Sequence, residues 1–216
     1  MPKATFYNLK EEKQERILRS AIAEFNAHGF AGANVAAIAK NAEVAKGSMY
    51  QYFKDKTELF VHCVAWATGI LMEKAGQQAA FENTDIFDYF SKDIAMRIKL
   101  VHEERELTLF TQDVFLGKFR AMPEAATAEM THVADEYVLG HIRAGRAKGS
   151  IRSDIDEGLL KLFLVGATMR IKEHVLKEAE ESILDLTGDK ATVEKFGSIL
   201  EDMIDLLKNG MGSKEA

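Results

Sequence analysis

Cysteine is almost missing from this 216-residue chain: Cys63 stands alone, so no internal disulfide framework can form. A lone thiol cannot gather a metal by itself, and His28, His62, His102, His132, His141 and His174 show no HxxxH spacing. Proline is nearly as scarce, with only Pro2 and Pro123, so long helices can run almost uninterrupted. No phosphate-binding glycine loop is present, because Gly145 and Gly149 are not followed by Lys-Ser/Thr. The opening MPKATFYNLKEEK lacks the apolar core of a secretory signal. The longest apolar stretch, 159–169, is too short to span a membrane and contains Lys161. These absences predict a soluble cytoplasmic protein with no membrane partner, no metal, no cofactor and no catalytic constellation. The carboxylate pairs Glu103–Glu104 and Glu180–Glu181 read as solvated faces.

What is present is ordinary globular material, 47% hydrophobic and 29% charged, which excludes intrinsic disorder. A chain of this length buries roughly 70% of its unfolded surface and needs no staple. The net charge of −6 argues against nucleic acid, but its distribution does not. Residues 1–60 hold nine Lys/Arg against seven Asp/Glu, a net of +2, which leaves 19 against 27 and a net of −8 elsewhere. An acidic body with a mildly basic head is a weak sign of a DNA-binding module.

Helical periodicity dominates and no strand alternation persists. Ile17, Leu18, Ala21, Ile22 and Phe25 share one face of a first helix. Asn8 and Glu11 have capping-box spacing, and Gly29 is placed to end that helix. Short helices follow at about 35–42, with Asn34 as N-cap, and at about 46–53. Asp55 and Glu58 open a long helix to about residue 79. Further stripes fall on Phe87, Phe90, Ile94, Ile98 and Val101, and on Leu107, Phe110 and Val114. Pro123 starts a helix that Gly149 ends near Lys148, and Asp154 or Asp156 can cap the next, which reaches about Glu181. A final helix covers about 190–208. The fold class expected is all-α with about nine helices, divided into a head at 1–56, a body at 57–210 and a disordered tail at 211–216.

The stretch VAAIAKNAEVAKGSMYQYF, residues 35–53, has helix-turn-helix spacing. Counted from Val35, apolar residues occupy positions 4 (Ile38), 8 (Ala42), 10 (Val44), 15 (Met49) and 18 (Tyr52), with small Ala39 at position 5. This leaves Lys46, Gly47, Ser48 and Gln51 off the packed face, where a major groove could receive them. Spacing alone also suits two short amphipathic helices in a plain bundle.

AIAKNAEVAKGSMYQYFKDKTELF resembles the signature of the TetR/AcrR family of bacterial transcriptional regulators, and ILRSAIAEFNAHGF is similar to that family's first helix. The likeness covers residues 13–62 and includes Tyr50, Phe53 and Lys56. It implies a three-helix DNA-binding head in which Ala45 to Tyr52 is the recognition helix. Lys46, Gly47 and Ser48 match its base-reading end: Lys46 as a donor to guanine, Gly47 for close backbone approach, Ser48 as an adaptable partner. Gln51, Tyr52 and Lys56 match phosphate-gripping positions, and Asn34 a capping residue whose helix can hold a phosphate. Tyr50 and Phe53 match packing positions, with Tyr50 also near enough to contribute to specificity. Two residues depart from the pattern. Glu43 replaces the usual turn glycine, at a cost of about 1–2 kcal/mol if it is left-handed, and Ala45 replaces a Ser/Thr cap.

For the body, the resemblance implies a homodimer built on the helices at about 156–181 and 190–208. Leu162, Phe163, Gly166, Phe196, Leu200 and Met203 would lie at that interface. It also implies a cavity for an apolar or amphipathic small molecule, lined by Trp66, Phe90, Phe110, Phe115, Tyr137, His141, Arg170 and His174. An aromatic stripe at helical spacing equally makes plain core. The function implied is a repressor that binds a palindromic double-stranded operator as a homodimer and is released by its effector. The alternative is a regulator whose body is a protein-interaction or oligomerisation module without a small-molecule ligand.

Overall fold

The computed structural model describes residues 1–78, 103–178 and 190–209, which hold nine helices and no strand. They are α1 (Ala4–Tyr7), α2 (Glu11–Gly32), α3 (Val35–Asn41), α4 (Lys46–Tyr52), α5 (Lys56–Gln78), α6 (Arg105–Phe115), α7 (Glu124–Lys148), α8 (Glu157–Glu178) and α9 (Lys190–Asn209). The stripe expected from Phe87 to Val101 lies outside the described residues, and so does the tail at 211–216.

Helix boundaries follow local chemistry. Asn34 caps α3 by accepting from the Ala36 N–H at 2.8 Å. Asp55 accepts from the Glu58 N–H at 2.8 Å, while the Glu58 carboxylate reaches back to the Lys54 N–H at 2.6 Å, so this capping exchange opens α5. Asp156 rather than Asp154 caps α8, accepting from the Leu159 N–H at 3.0 Å, because Asp154 is engaged by Arg152. Gly149 ends α7 at φ 78°, and Gly29 breaks α2 at φ 67° one turn before it finishes. One expected cap is not made. Asn8 closes α1 instead of opening α2, whose N-cap is Lys10 without a side-chain bond.

The chain forms two compact units. The first comprises Met1–Leu71 and Glu106–Val133. It therefore runs past the expected head boundary at residue 56, because Leu59, Phe60, Cys63, Val64 and Ala67 of α5 are buried in the same core as Ile17, Ile22, Phe25, Ile38 and Met49. Phe25, Phe60, Phe110 and Phe119 form an aromatic centre, with Phe60 5.3 Å from Phe110 and 4.8 Å from Phe25. The second unit comprises Met72–Arg105 and Ala134–Ala216. Its described core is smaller: Ile142, Leu164 and Ile204, with Tyr137, Val138, Ile151, Leu160 and Leu207 packed against them.

Candidate nucleic-acid interface

Two helices too short to persist alone are held in place by their neighbours, α3 by α2 and α4 by α3 and α1. Ile38, Ala39 and Ala42 of the α3 segment and Met49 and Tyr52 of α4 are buried in one core with Ile17, Ile22 and Phe25 of α2, which matches the packed positions that the spacing predicts. Glu24, itself buried on α2, accepts from the Asn34 N–H at 2.9 Å and so fixes the residue that caps α3. Arg16, earlier on α2, secures the α3–α4 turn. Its Nε donates to the Ala42 carbonyl at 3.0 Å and its Nη1 lies 3.7 Å from the Glu43 carboxylate. Glu43 does take the left-handed conformation, at φ 55°.

On the outward side of α4, Lys46 and Gly47 are exposed, Ser48 is half-buried, and Tyr50 and Gln51 are exposed. Nothing lies within 4 Å of where a Gly47 side chain would begin, so the backbone there is open to approach. Ala45 occupies the N-cap of α4 and makes no side-chain bond. Lys40 and Lys54 are exposed on the flanking segments. One short helix thus joins a cation, a hydroxyl, an amide and a phenol, with two more cations on the flanking segments, a donor set that suits phosphate and base edges.

Three of the roles expected from the sequence do not match these positions. Tyr50 is 48% exposed and cannot be a packing residue, whereas Tyr52 is only 7% exposed and its ring packs edge-on to Phe6 at 6.1 Å, which removes it from the phosphate-gripping set. Phe53 is buried as expected, 4.9 Å from Phe6. Lys56 is turned inward: its Nζ donates to the carbonyls of Ala31 and Ala33 at 3.0 and 3.1 Å and sits 5.1 Å above the Phe30 ring. It neutralises the carbonyl end of α2 rather than presenting a free charge.

The residues assigned to an effector divide between the units. Trp66 and Phe115 pack on the first core, with the Arg19 guanidinium 5.6 Å over the Trp66 ring. Phe110 is fully buried among Phe25, Phe60 and Phe119 and is a core residue. In the second unit Tyr137 and His141 make an edge-to-face pair at 4.6 Å, and Arg170 is exposed. Of the expected interface residues, Leu162 and Phe163 are 68% and 58% exposed and Gly166 is open. Met203 is buried within its own unit, beside Ile204 in sequence, so it is not available to a partner. Phe90 lies outside the described residues, as do the side chains of His174, Phe196 and Leu200. Burial pushes the Cys63 thiol up and leaves it inert. Among the described residues no group of three His, Cys, Asp or Glu could hold a metal, and no helix is long and apolar enough to cross a membrane.

Sequence reasoning missed Lys3, Thr5, Arg16 and Glu24, all of which act on the ends of α3 and α4. The first two lie on or beside a four-residue helix, too short to show periodicity.

Residues 17–63 match the bacterial regulatory proteins of the tetR family. The chain is 25% identical over 201 residues to the HTH-type transcriptional regulator UidR of Escherichia coli K12, covering 89% of this chain and 97% of that one. It is 25% identical over 206 residues to the HTH-type transcriptional repressor AcnR of Corynebacterium diphtheriae, covering 94% and 97%. Its fold is similar to that of the transcriptional regulator FadR from Bacillus subtilis in complex with stearoyl-CoA, with a TM-score of 0.62, 17% identity and coverage of 92% and 99%.

Proposed function

Because this chain belongs to the TetR family of bacterial transcriptional regulators and is a DNA-binding protein, we propose that it is a repressor that binds a palindromic operator as a homodimer and is released by an apolar or amphipathic small molecule. The observation that carries the DNA side is the outward face of α4. Lys46, Gly47, Tyr50 and Gln51 are exposed and Ser48 is half-buried on a helix whose opposite face is locked into a core. Lys46 and Ser48 read base edges, Gly47 admits the groove wall, and Tyr50 and Gln51 extend the contact. Asn34 and Ala45 start the two short helices and bring backbone N–H groups toward phosphate. Lys56 supports this surface from behind.

The dimer reading draws on Leu159, Leu162 and Phe163, large apolar side chains left exposed along one face of α8. Two heads about 34–36 Å apart then meet successive major grooves of a palindrome. An effector that prefers another separation lowers operator affinity by its differential affinity for the two states. The stearoyl-CoA in the similar FadR structure supports an amphipathic effector class.

The test is selection from a random duplex library at about 0.15 M salt, a strength at which non-specific binding is weak. One enriched palindrome is expected. Only salt-sensitive bulk binding would sink the sequence-specific reading.

A further inference from the structure

We infer that residues 3–6 are a clip that positions α4 for base reading, an inference that rests on the DNA-binding reading of that helix. The last four carbonyls of any α-helix have no partner within it. In seven-residue α4 these belong to Met49, Tyr50, Gln51 and Tyr52, so over half of its acceptors depend on other groups. Met49 O accepts from the Phe53 N–H at 2.8 Å. The other three are all satisfied by the opening segment of the chain. Lys3 Nζ donates to Tyr50 O at 2.8 Å, the Thr5 hydroxyl donates to Gln51 O, and the Lys3 N–H donates to Tyr52 O at 2.9 Å.

The arrangement controls orientation as well as satisfying acceptors. Successive carbonyls are rotated by about 100° around a helix axis, so donors to three in a row fix both the rotation and the axial position of α4. An ammonium at this end also opposes the helix's partial negative charge. Phe6 holds the clip down: it is fully buried, with its ring 4.9 Å from Phe53 and 5.5 Å from His62. The leading end of α4 has the opposite character, since Ala45 supplies no side-chain cap. The helix is therefore anchored by the end opposite Lys46, the first of its base-reading residues. Lys3 and Thr5 are positioning residues, and they reach DNA only through Lys46, Ser48, Tyr50 and Gln51.

The test uses the full chain with Lys3→Ala and Thr5→Val together, which removes two side-chain donors but keeps Phe6 and the Lys3 N–H. Probes are a duplex selected with the unaltered protein and a scrambled duplex of equal length. Two lost hydrogen bonds predict an affinity for the selected duplex about tenfold lower. Affinity for the scrambled duplex stays within about twofold, and the salt slope is unchanged because no phosphate contact is lost. Amide exchange at residues 50–53 quickens about tenfold or more while α3 exchanges as before. Lys3→Arg with Thr5→Ser restores both readouts. If the double variant does not fold, Thr5→Val alone is expected to give about a threefold loss with the same exchange signature.

A salt slope shallower by about one, with both duplexes weakened alike, would make Lys3 a phosphate contact and overturn the clip. Unchanged exchange in α4 would overturn it without recourse to DNA. Failure of the unaltered protein to select any duplex would instead remove the base-reading role of α4, and the inference with it.

Discussion

Glu43 sits at φ 55°, where glycine is at ease and any other L-residue costs about 1–2 kcal/mol. What opposes that cost is Arg16, whose ion pair with Glu43 is exposed at both ends and contributes at most about 1 kcal/mol. The strain exceeds the pairing, so Glu43→Gly is expected to stabilise the first unit by about 0.5–1 kcal/mol once glycine's extra unfolded-state entropy is counted. Urea unfolding followed by the single Trp66 should show a higher midpoint at unchanged slope. A lower midpoint would mean that Arg16 outweighs the backbone. Lys56 yields a prediction of the opposite sign. Replacing it with alanine strands two carbonyls at the end of α2, so stability should fall by about 1–2 kcal/mol while the DNA salt slope stays the same. An intact midpoint with a shallower slope would return Lys56 to the phosphate backbone. At this scale the packed pattern was well written in the sequence: position 18, Tyr52, is buried with Ile38, Ala42 and Met49. The transferred family roles were less reliable: they gave Tyr52 to phosphate and Tyr50 to the core, against the helix-turn-helix spacing, which places Tyr52 on the packed face.

Elements with their own start and stop chemistry were legible, and those defined by contact were not. Asn34, the Asp55–Glu58 pair and Gly149 mark helix ends through bonds within a few residues. Helix α1 has no such mark; it exists because Phe6 finds a slot between Phe53 and His62 and because its neighbours have carbonyls to satisfy. The same slot gives the first unit a pH dependence. Burial beside Phe6, Tyr7 and Phe53 lowers His62 to about 4, against about 6.5 when unfolded, with Glu58 opposing. Between those values the unfolded chain binds a proton that the folded one refuses. Stability is therefore full above about pH 6.5 and declines as pH falls toward about 4. His62→Gln should flatten that decline relative to the unaltered protein in urea midpoints taken from pH 7 to 4.5. An unaltered slope would assign the acid sensitivity to other groups.

For the whole molecule the decisive surface is α8. Leu159, Leu162 and Phe163 are 57%, 68% and 58% exposed, and with open Gly166 they recur at i, i+3, i+4 and i+7. A helix normally turns that face into its own core, yet on α8 it is Leu164 and Leu160 that pack into the second unit's core. The family resemblance implies a dimer surface on α8 and α9 but does not sort their apolar residues into inner and outer sets. Met203 and Ile204 are buried within the unit while Leu206 remains 50% exposed. An isologous twofold contact covers such a face with its own copy and requires no second chemistry. Leu162→Glu with Phe163→Glu places charges where a dimer would desolvate them, and both positions are exposed in the protomer, so folding should survive. The unaltered chain should sediment at twice its 24.1 kDa mass and the variant at that mass. The variant should also lose its preference for a full palindrome over a single half-site, since linking two heads raises affinity only while they remain linked. If the variant sediments as a dimer, the exposed face of α8 belongs to some other partner, and the two heads must be paired elsewhere.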